Sequence, residues 1–306
     1  MSPNGTWSRR LRAAILVLGS AAALLLVPLP SGWQESWHGR LLDLAHVPLF
    51  AGLVIALRII LGLPIGWSVG TVIALAGLAE VAQEVVGRAG GWHDFLRGMF
   101  GALAAGAGLL SWEQRRKPIR AAAYVVAAIG FVAWPVVELA PYFIDAVEGN
   151  RAFPVLAAFD SERELRRWDC KQATITLVDD PQGGGSLAGR LELLPGSVEF
   201  SEANLWPVVR DFRGYRWLCY SLWVPHGPLE LALSVRGGPL QWGHTTNFQV
   251  VRTFPEGEHI VRLDLEEVRA RARPVPMDLS EVKRLRFFNE SPSEIRTFFV
   301  RRIWLE

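Results

Sequence analysis

Long apolar runs in the first half of the chain constrain its fold more than any other feature. A helix that crosses a bilayer takes roughly 20 apolar residues. Five runs approach that length: Leu11 to Pro28, Leu41 to Leu63, Ile65 to Val86, Phe95 to Trp112 and Ala121 to Phe143. Five spans put the two ends of the chain on opposite sides. The first run follows Arg9, Arg10 and Arg12 as a signal peptide would, but no A-x-A cleavage pattern follows Pro28, so it reads as a retained helix. Beyond Gly149 the composition changes to charged residues mixed with Trp, Phe and Arg, which reads as a water-soluble domain. The 306 residues therefore divide into a helical transmembrane domain, 1–148, and an all-β domain, 149–306.

Basic residues orient the helices. Arg9, Arg10 and Arg12 precede the first run, and Arg115, Arg116, Lys117 and Arg120 lie between the fourth and fifth. The positive-inside rule puts the N-terminus in the cytoplasm and residues 150–306 outside, with Trp33, Trp37 and Trp92 near the outer ends as an aromatic belt. A formal net charge of +2 and the absence of a basic stripe exclude a nucleic-acid partner.

Polar residues recur where lipid would penalise them. An ionisable side chain at membrane depth costs roughly 2.5–3.5 kcal/mol on insertion scales, so it marks a site by default. Asp43 and His46 begin the second span, Glu80, Gln83 and Glu84 end the third, Arg88, His93 and Asp94 follow, and Glu138 lies late in the fifth. In the orientation above, all of them fall at the outer side. Asp43/His46 and Glu80/Gln83 are spaced i, i+3, so each pair shares a helical face. Arg58 falls near the other end and can snorkel to the interface. Gly98, Gly101, Gly106 and Gly108 read as small residues that let helices approach. Two readings of the polar set stay open, a hydrogen-bonded network that ties helices together and a functional pocket; the pocket is preferred for the set as a whole.

Asp43-x-x-His46 with Phe50, then Glu80-x-x-Gln83, Arg88, Asp94 and Gly101, resembles the VanZ-like family of bacterial membrane proteins over residues 40–110. Two positions depart from that family's pattern: Leu44 stands where Lys is common, and Gly98 where Asn is common. The family is linked to glycopeptide-antibiotic tolerance, so the resemblance implies work at the cell envelope. The residue types suit the head group of a phosphate-linked lipid, such as a polyprenyl-phosphate precursor. Arg88 can bind phosphate oxygens bidentately, with Gln83 helping to hold the head group. His46, oriented by Asp43, can move protons, and Glu80 or Asp94 can act as a second acid or base. A metal site drawn from Asp43, His46, Glu80, His93 and Asp94 has no H-E-x-x-H or comparable spacing behind it, so neither metal nor cofactor is expected.

In the second half, short runs rich in β-branched and aromatic residues alternate with Gly/Pro clusters. They are Gln172–Val178, Leu187–Leu194, Tyr215–Val224, Leu229–Val235, Asn247–Thr253, Glu258–Leu265, Leu285–Asn289 and Thr297–Leu305. This spacing predicts a sandwich or jelly roll. Phe159-Asp160-Ser161-Glu162 with Leu165 and Trp168, Tyr215-x-x-Leu218, Asn247-Phe248 and Ile303-Trp304-Leu305 resemble galactose-binding-like jelly rolls of carbohydrate-active proteins. That resemblance implies a glycan partner, with Trp206, Trp242 and His244 as candidate sugar-binding residues. Trp168, Trp223 and Trp304 are expected in the core. No acid pair suggests a glycosidase couple. Cys170 and Cys219 are the only cysteines, and spacing alone leaves both a disulfide and two buried thiols open. Two functions follow from these features: an enzyme acting on an envelope lipid, or a binder of envelope lipid or glycan that catalyses nothing.

Overall fold

The computed structural model describes residues 37–85, 91–196, 200–239, 245–290 and 292–306, with four further helical positions, Arg12, Leu16, Gly19 and Ser20. The chain divides into two compact units, Met1–Pro141 and Tyr142–Glu306.

Four long helices follow one another from the first unit: α1 (Trp37–Leu61), α2 (Ile65–Val85), α3 (Trp92–Glu113) and α4 (Pro118–Ala152). Each is long and apolar enough to cross a membrane. They coincide with four of the five expected spans, while the first, Leu11 to Pro28, lies outside the described residues save those isolated positions. Phe50, Leu53, Val54 and Leu57 form one face of α1 at i, i+3, i+4, i+7 spacing and pack on Val72 and Ala76 of α2 and Ala102 of α3. Gly62 ends α1 with a left-handed φ of 68°, a conformation that favours glycine. Arg58 donates to the Leu63 carbonyl at 3.1 Å and pairs with Glu113 at 3.1 Å, so it is tied at the ends of α1 and α3. On α4, Val126, Ile129 and Val137 remain exposed, an apolar surface suited to hydrocarbon.

The glycines of α3 set how closely the helices approach. A Cβ on Gly101 would lie 2.2 Å from the Val47 carbonyl oxygen of α1, and one on Gly106 would lie 2.6 Å from Val69 Cγ2 of α2. Gly108 has open space. The contact at Gly101 is with backbone, which no side-chain rotation relieves. Gly101→Ala is expected to cost about 1–3 kcal/mol as an overpacked site, read as a lower melting temperature of the full chain in detergent. Gly108→Ala should leave that temperature unchanged or raise it.

The second unit is a sandwich of two antiparallel sheets. One joins β3 (Ala173–Asp179), β4 (Leu187–Leu193), β11 (Arg296–Leu305), β6 (Trp217–Val224) and β9 (Gly257–Asp264), with β1 (Val155–Ala157) on β11. The other orders β2 (Trp168–Lys171), β5 (Phe200–Leu205), β10 (Val282–Glu290), β7 (Leu229–Pro239) and β8 (Thr245–Phe254). Alternation buries Leu191, Leu193, Tyr220 and Leu222 of one sheet with Leu205, Leu231, Leu233 and Phe287 of the other in one core. A seven-residue helix, α5 (Leu265–Arg271), follows β9, so the described helices are not confined to the expected spans. Asp264 starts it, its carboxylate accepting from the Glu266 amide at 2.9 Å.

The stretch after α4 is locked by charge. Arg167, buried in this unit, pairs with Asp145 at 3.1 Å and Glu164 at 2.8 Å and donates to the Leu156 carbonyl at 2.7 Å. The Glu164 carboxylate also accepts from the amides of Ala158 and Phe159. These bonds hold Phe159 at a left-handed φ of 61°, a cost of about 1–3 kcal/mol for a non-glycine residue. Its ring is fully buried beside Trp168, 5.8 Å between centroids.

Two tryptophan expectations need correction. Trp168 is buried in the core, but Trp223 and Trp304 are only half-buried. Ile303 and Leu305 take the inward positions of β11, so Trp304 falls on the other face, and Trp223 packs edge-on against Phe299. Cys170 and Cys219 are free, one in each sheet. Burial pushes the Cys170 thiol up to about 11 and raises that of Cys219.

Candidate functional site

An arginine that sequence reasoning passed over organises the polar residues of the first unit. Arg97 lies one turn into α3 with its side chain 4% exposed. Its guanidinium lies 2.7 Å from Asp94 Oδ1, 3.1 Å from Glu138 Oε1 of α4 and 3.6 Å from Asp43 Oδ2 of α1. Three helices thus send a carboxylate to one buried cation. Its planar fork suits this task, since donors diverge from one rigid group. Glu138 also accepts a contact from His93 Nδ1 at 3.1 Å, at a ring that is mostly exposed.

Glu80, near the C-terminal end of α2, accepts from the Gly91 amide at 2.8 Å. Gly91 is the residue before α3, and Asp94 lies in the first turn of that helix. Both acids therefore sit where unpaired amides and the positive end of the helix dipole favour negative charge.

His46 is 9% exposed. Its Nδ1 lies 3.1 Å from the Asp43 backbone carbonyl. A carbonyl only accepts, so Nδ1 is the donor, and in a neutral ring Nε2 then holds the lone pair. Nε2 is buried without a hydrogen-bond partner among the described residues. The contact to His46 comes from the Asp43 main chain one turn away, while the Asp43 carboxylate goes to Arg97. The His46 ring stacks on Phe50, 6.2 Å between centroids. One donor atom each from His46, Glu80 and Asp94 lie within 4.8 Å of one another.

The cluster gathers Asp43, His46, Glu80 and Asp94, with Gln83 buried on α2. Arg88, the expected anion binder, lies outside the described residues. The signal for Arg97 was present in the sequence: an arginine inside an apolar run, three residues after Asp94 and four before Gly101. Among the described residues, three carboxylates, those of Asp43, Asp94 and Glu138, meet the Arg97 guanidinium, and Glu80 lies beside Asp94. Phe50 also accounts for Gly98, where a Cβ would meet its ring at 2.9 Å and the Ala76 Cβ at 3.3 Å. No asparagine fits at position 98 in this packing.

A second polar surface covers the five-stranded sheet on the side away from the core. Register aligns Asp169, Asn204, Arg286, Ser234 and Gln249 across it. Arg286 is 5% exposed, pairs with Glu202 and lies over the rings of Phe200 and Phe288, at 4.4 and 4.0 Å. Burial lowers its pKa, against the pull of Glu202. Trp206, half-buried, carries the Arg284 guanidinium 4.0 Å over its ring. Trp242 and His244 lie outside the described residues.

No protein-family model and no curated protein match the chain. Solved structures give low-identity likenesses. A family 11 carbohydrate-binding module from Clostridium thermocellum, in complex with a β-1,3-1,4-mixed-linked tetrasaccharide, is 10% identical with a TM-score of 0.41, over 49% of this chain and 93% of that one. A family 30 carbohydrate-binding module of a cellulosomal cellulase of Clostridium thermocellum is 14% identical with a TM-score of 0.35, over 45% and 92%. The agarase AgWH50C is 9% identical with a TM-score of 0.38, over 50% and 26%.

Removing Arg97 would leave three carboxylates facing one another. Arg97→Ala is expected to cost about 3–5 kcal/mol, as for a broken buried pair, and Arg97→Lys less. Thermal unfolding of the full chain in detergent measures both, and equal melting temperatures for wild type and Arg97→Ala would show that the cluster adds nothing to the fold.

Proposed function

We propose that this chain is an integral membrane protein of the bacterial cell envelope whose helical unit, VanZ-like in residues 40–110, engages the head group of a phosphate-linked lipid or glycan precursor. In this reading the N-terminus is cytoplasmic, the site lies at the outer face of the plasma membrane, and the sandwich (149–306) is galactose-binding-like and faces envelope glycan. The observation that carries it is the gathering of Asp43, Asp94 and Glu138 around buried Arg97, with His46 and Glu80 beside Asp94, on helices apolar enough to cross a membrane. Ionisable groups at such depth are costly and mark function by default. His46, its tautomer set by the Asp43 carbonyl, moves a proton through Nε2; Glu80 and Asp94 serve as second acid or base; Gln83 and Arg88 hold the head group.

Mass spectrometry of lipids co-purifying with the full chain tests the reading. Wild type should carry a phosphate-bearing lipid that Arg88→Ala loses, and a wild-type profile equal to bulk lipid would sink it. His46→Ala should abolish turnover of a labelled polyprenyl-phosphate sugar while keeping binding within a few fold.

The second reading is a binder that catalyses nothing, and the crowding at Gly98 favours it, because that packing excludes the asparagine common in the family the chain resembles. A wild type that binds the labelled lipid and never alters it would decide for this reading. On the sandwich, the proposed sugar platform is Trp206 with its stacked Arg284. Trp206→Ala in the full chain should lose binding on a glycan array, and an unchanged array would move the glycan site elsewhere.

A further inference from the structure

We propose that His46, Glu80 and Asp94 bind a divalent cation of the zinc or manganese class between α1, α2 and α3. This rests on the reading of the same cluster as a head-group site, in its non-catalytic form: with an ion bound, Nε2 and the two carboxylates are ligands and His46 moves no proton. Two independent observations lead to it. The three side chains, from three helices, bring one donor atom each within 4.8 Å of one another. His46, 91% buried by its 9% exposure, has Nε2 buried with no partner. A neutral imidazole whose Nδ1–H is held by a carbonyl presents its lone pair at Nε2, the usual arrangement of a metal-binding histidine.

Charge points the same way. Arg97 is already engaged by Asp94, Glu138 and Asp43, so it offers little to an incoming phosphate. One imidazole and two carboxylates suit zinc or manganese better than calcium or magnesium, which prefer all-oxygen sites. Donors sharing a tetrahedral zinc lie about 3.4 Å apart, given bonds of roughly 2.0–2.1 Å. Donors that lie within 4.8 Å of one another therefore need to close by at most about 1.4 Å on binding. Three protein ligands leave a position for a phosphate oxygen or a water. The ion, rather than Arg97, then carries the phosphate contact within the cluster.

The test uses the full chain in detergent, stripped with EDTA and titrated with MnCl2 or ZnCl2 alone by calorimetry. The expected result is one saturable site per chain, weakened roughly tenfold or more in Glu80→Gln, Asp94→Asn and His46→Gln, and kept in His93→Ala. Variants are compared only where they elute like wild type, and the wild-type titration needs no variant at all. No saturable binding by wild type overturns the proposal, as does binding undiminished in Glu80→Gln and Asp94→Asn, or equal loss in His93→Ala. Stripped wild type that binds no cation yet co-purifies phosphate-bearing lipid overturns the cation and leaves the head-group reading standing. Saturable cation binding with no phosphate-bearing lipid in any sample supports the cation and removes that reading.

Discussion

The buried guanidinium of Arg97 is the constraint on which the helical unit depends. A charge that is 4% exposed needs partners, and α1, α3 and α4 supply Asp43, Asp94 and Glu138. Moving any of these helices by a turn would leave either the arginine or an acid unpaired. The pairing therefore fixes helix register as well as charge, and the apolar contacts of Phe50, Leu53 and Leu57 fill in around it.

Packing and chemistry are inseparable here. Gly101 lets Val47 come close, and Gly98 leaves room for the Phe50 ring. Val47 follows His46 directly, and Phe50, one turn further along α1, stacks on its ring. The small residues of α3 thus place the histidine beside Glu80 and Asp94, and a bulkier α3 would push α1 and its histidine away.

The sandwich follows another logic. Its core is built by alternation, interrupted by register shifts in β10 and β11, and its outward sheet face carries buried polar groups, Arg286 and Asn204 among them. Asn204 donates to the Asp169 carbonyl at 3.2 Å, and Arg286 rests on aromatic rings as well as on Glu202. Such a face, polar yet partly covered, differs from a plainly solvated strand surface, and it includes Trp206 with Arg284 over it.

The eight strands read from β-branched and aromatic runs all lie on strands of the sandwich, because alternation is local and survives in a single sequence. Val155–Ala157, Trp168–Lys171 and Phe200–Leu205 went unread: two are short, and the third interleaves Ser201, Glu202 and Asn204, whose burial depends on neighbouring strands. The same held for Trp223 and Trp304, since which face of a strand points inward is a property of the sheet. In the helical unit, run length and polar spacing marked Asp43, His46, Glu80, Gln83 and Asp94 as candidates. They did not reveal Arg97 as the hub, that Asp43 would reach His46 through its main chain, or that one donor each from three helices would meet within 4.8 Å. By itself the sequence determined where apolar helices and alternating strands form, for these patterns are periodic and short in range. Only the tertiary structure decided which charges share a pocket, because partners such as Arg97 and Glu138 lie 41 residues apart along the chain, and Asp43 lies farther still from Arg97, so they meet only when the helices pack.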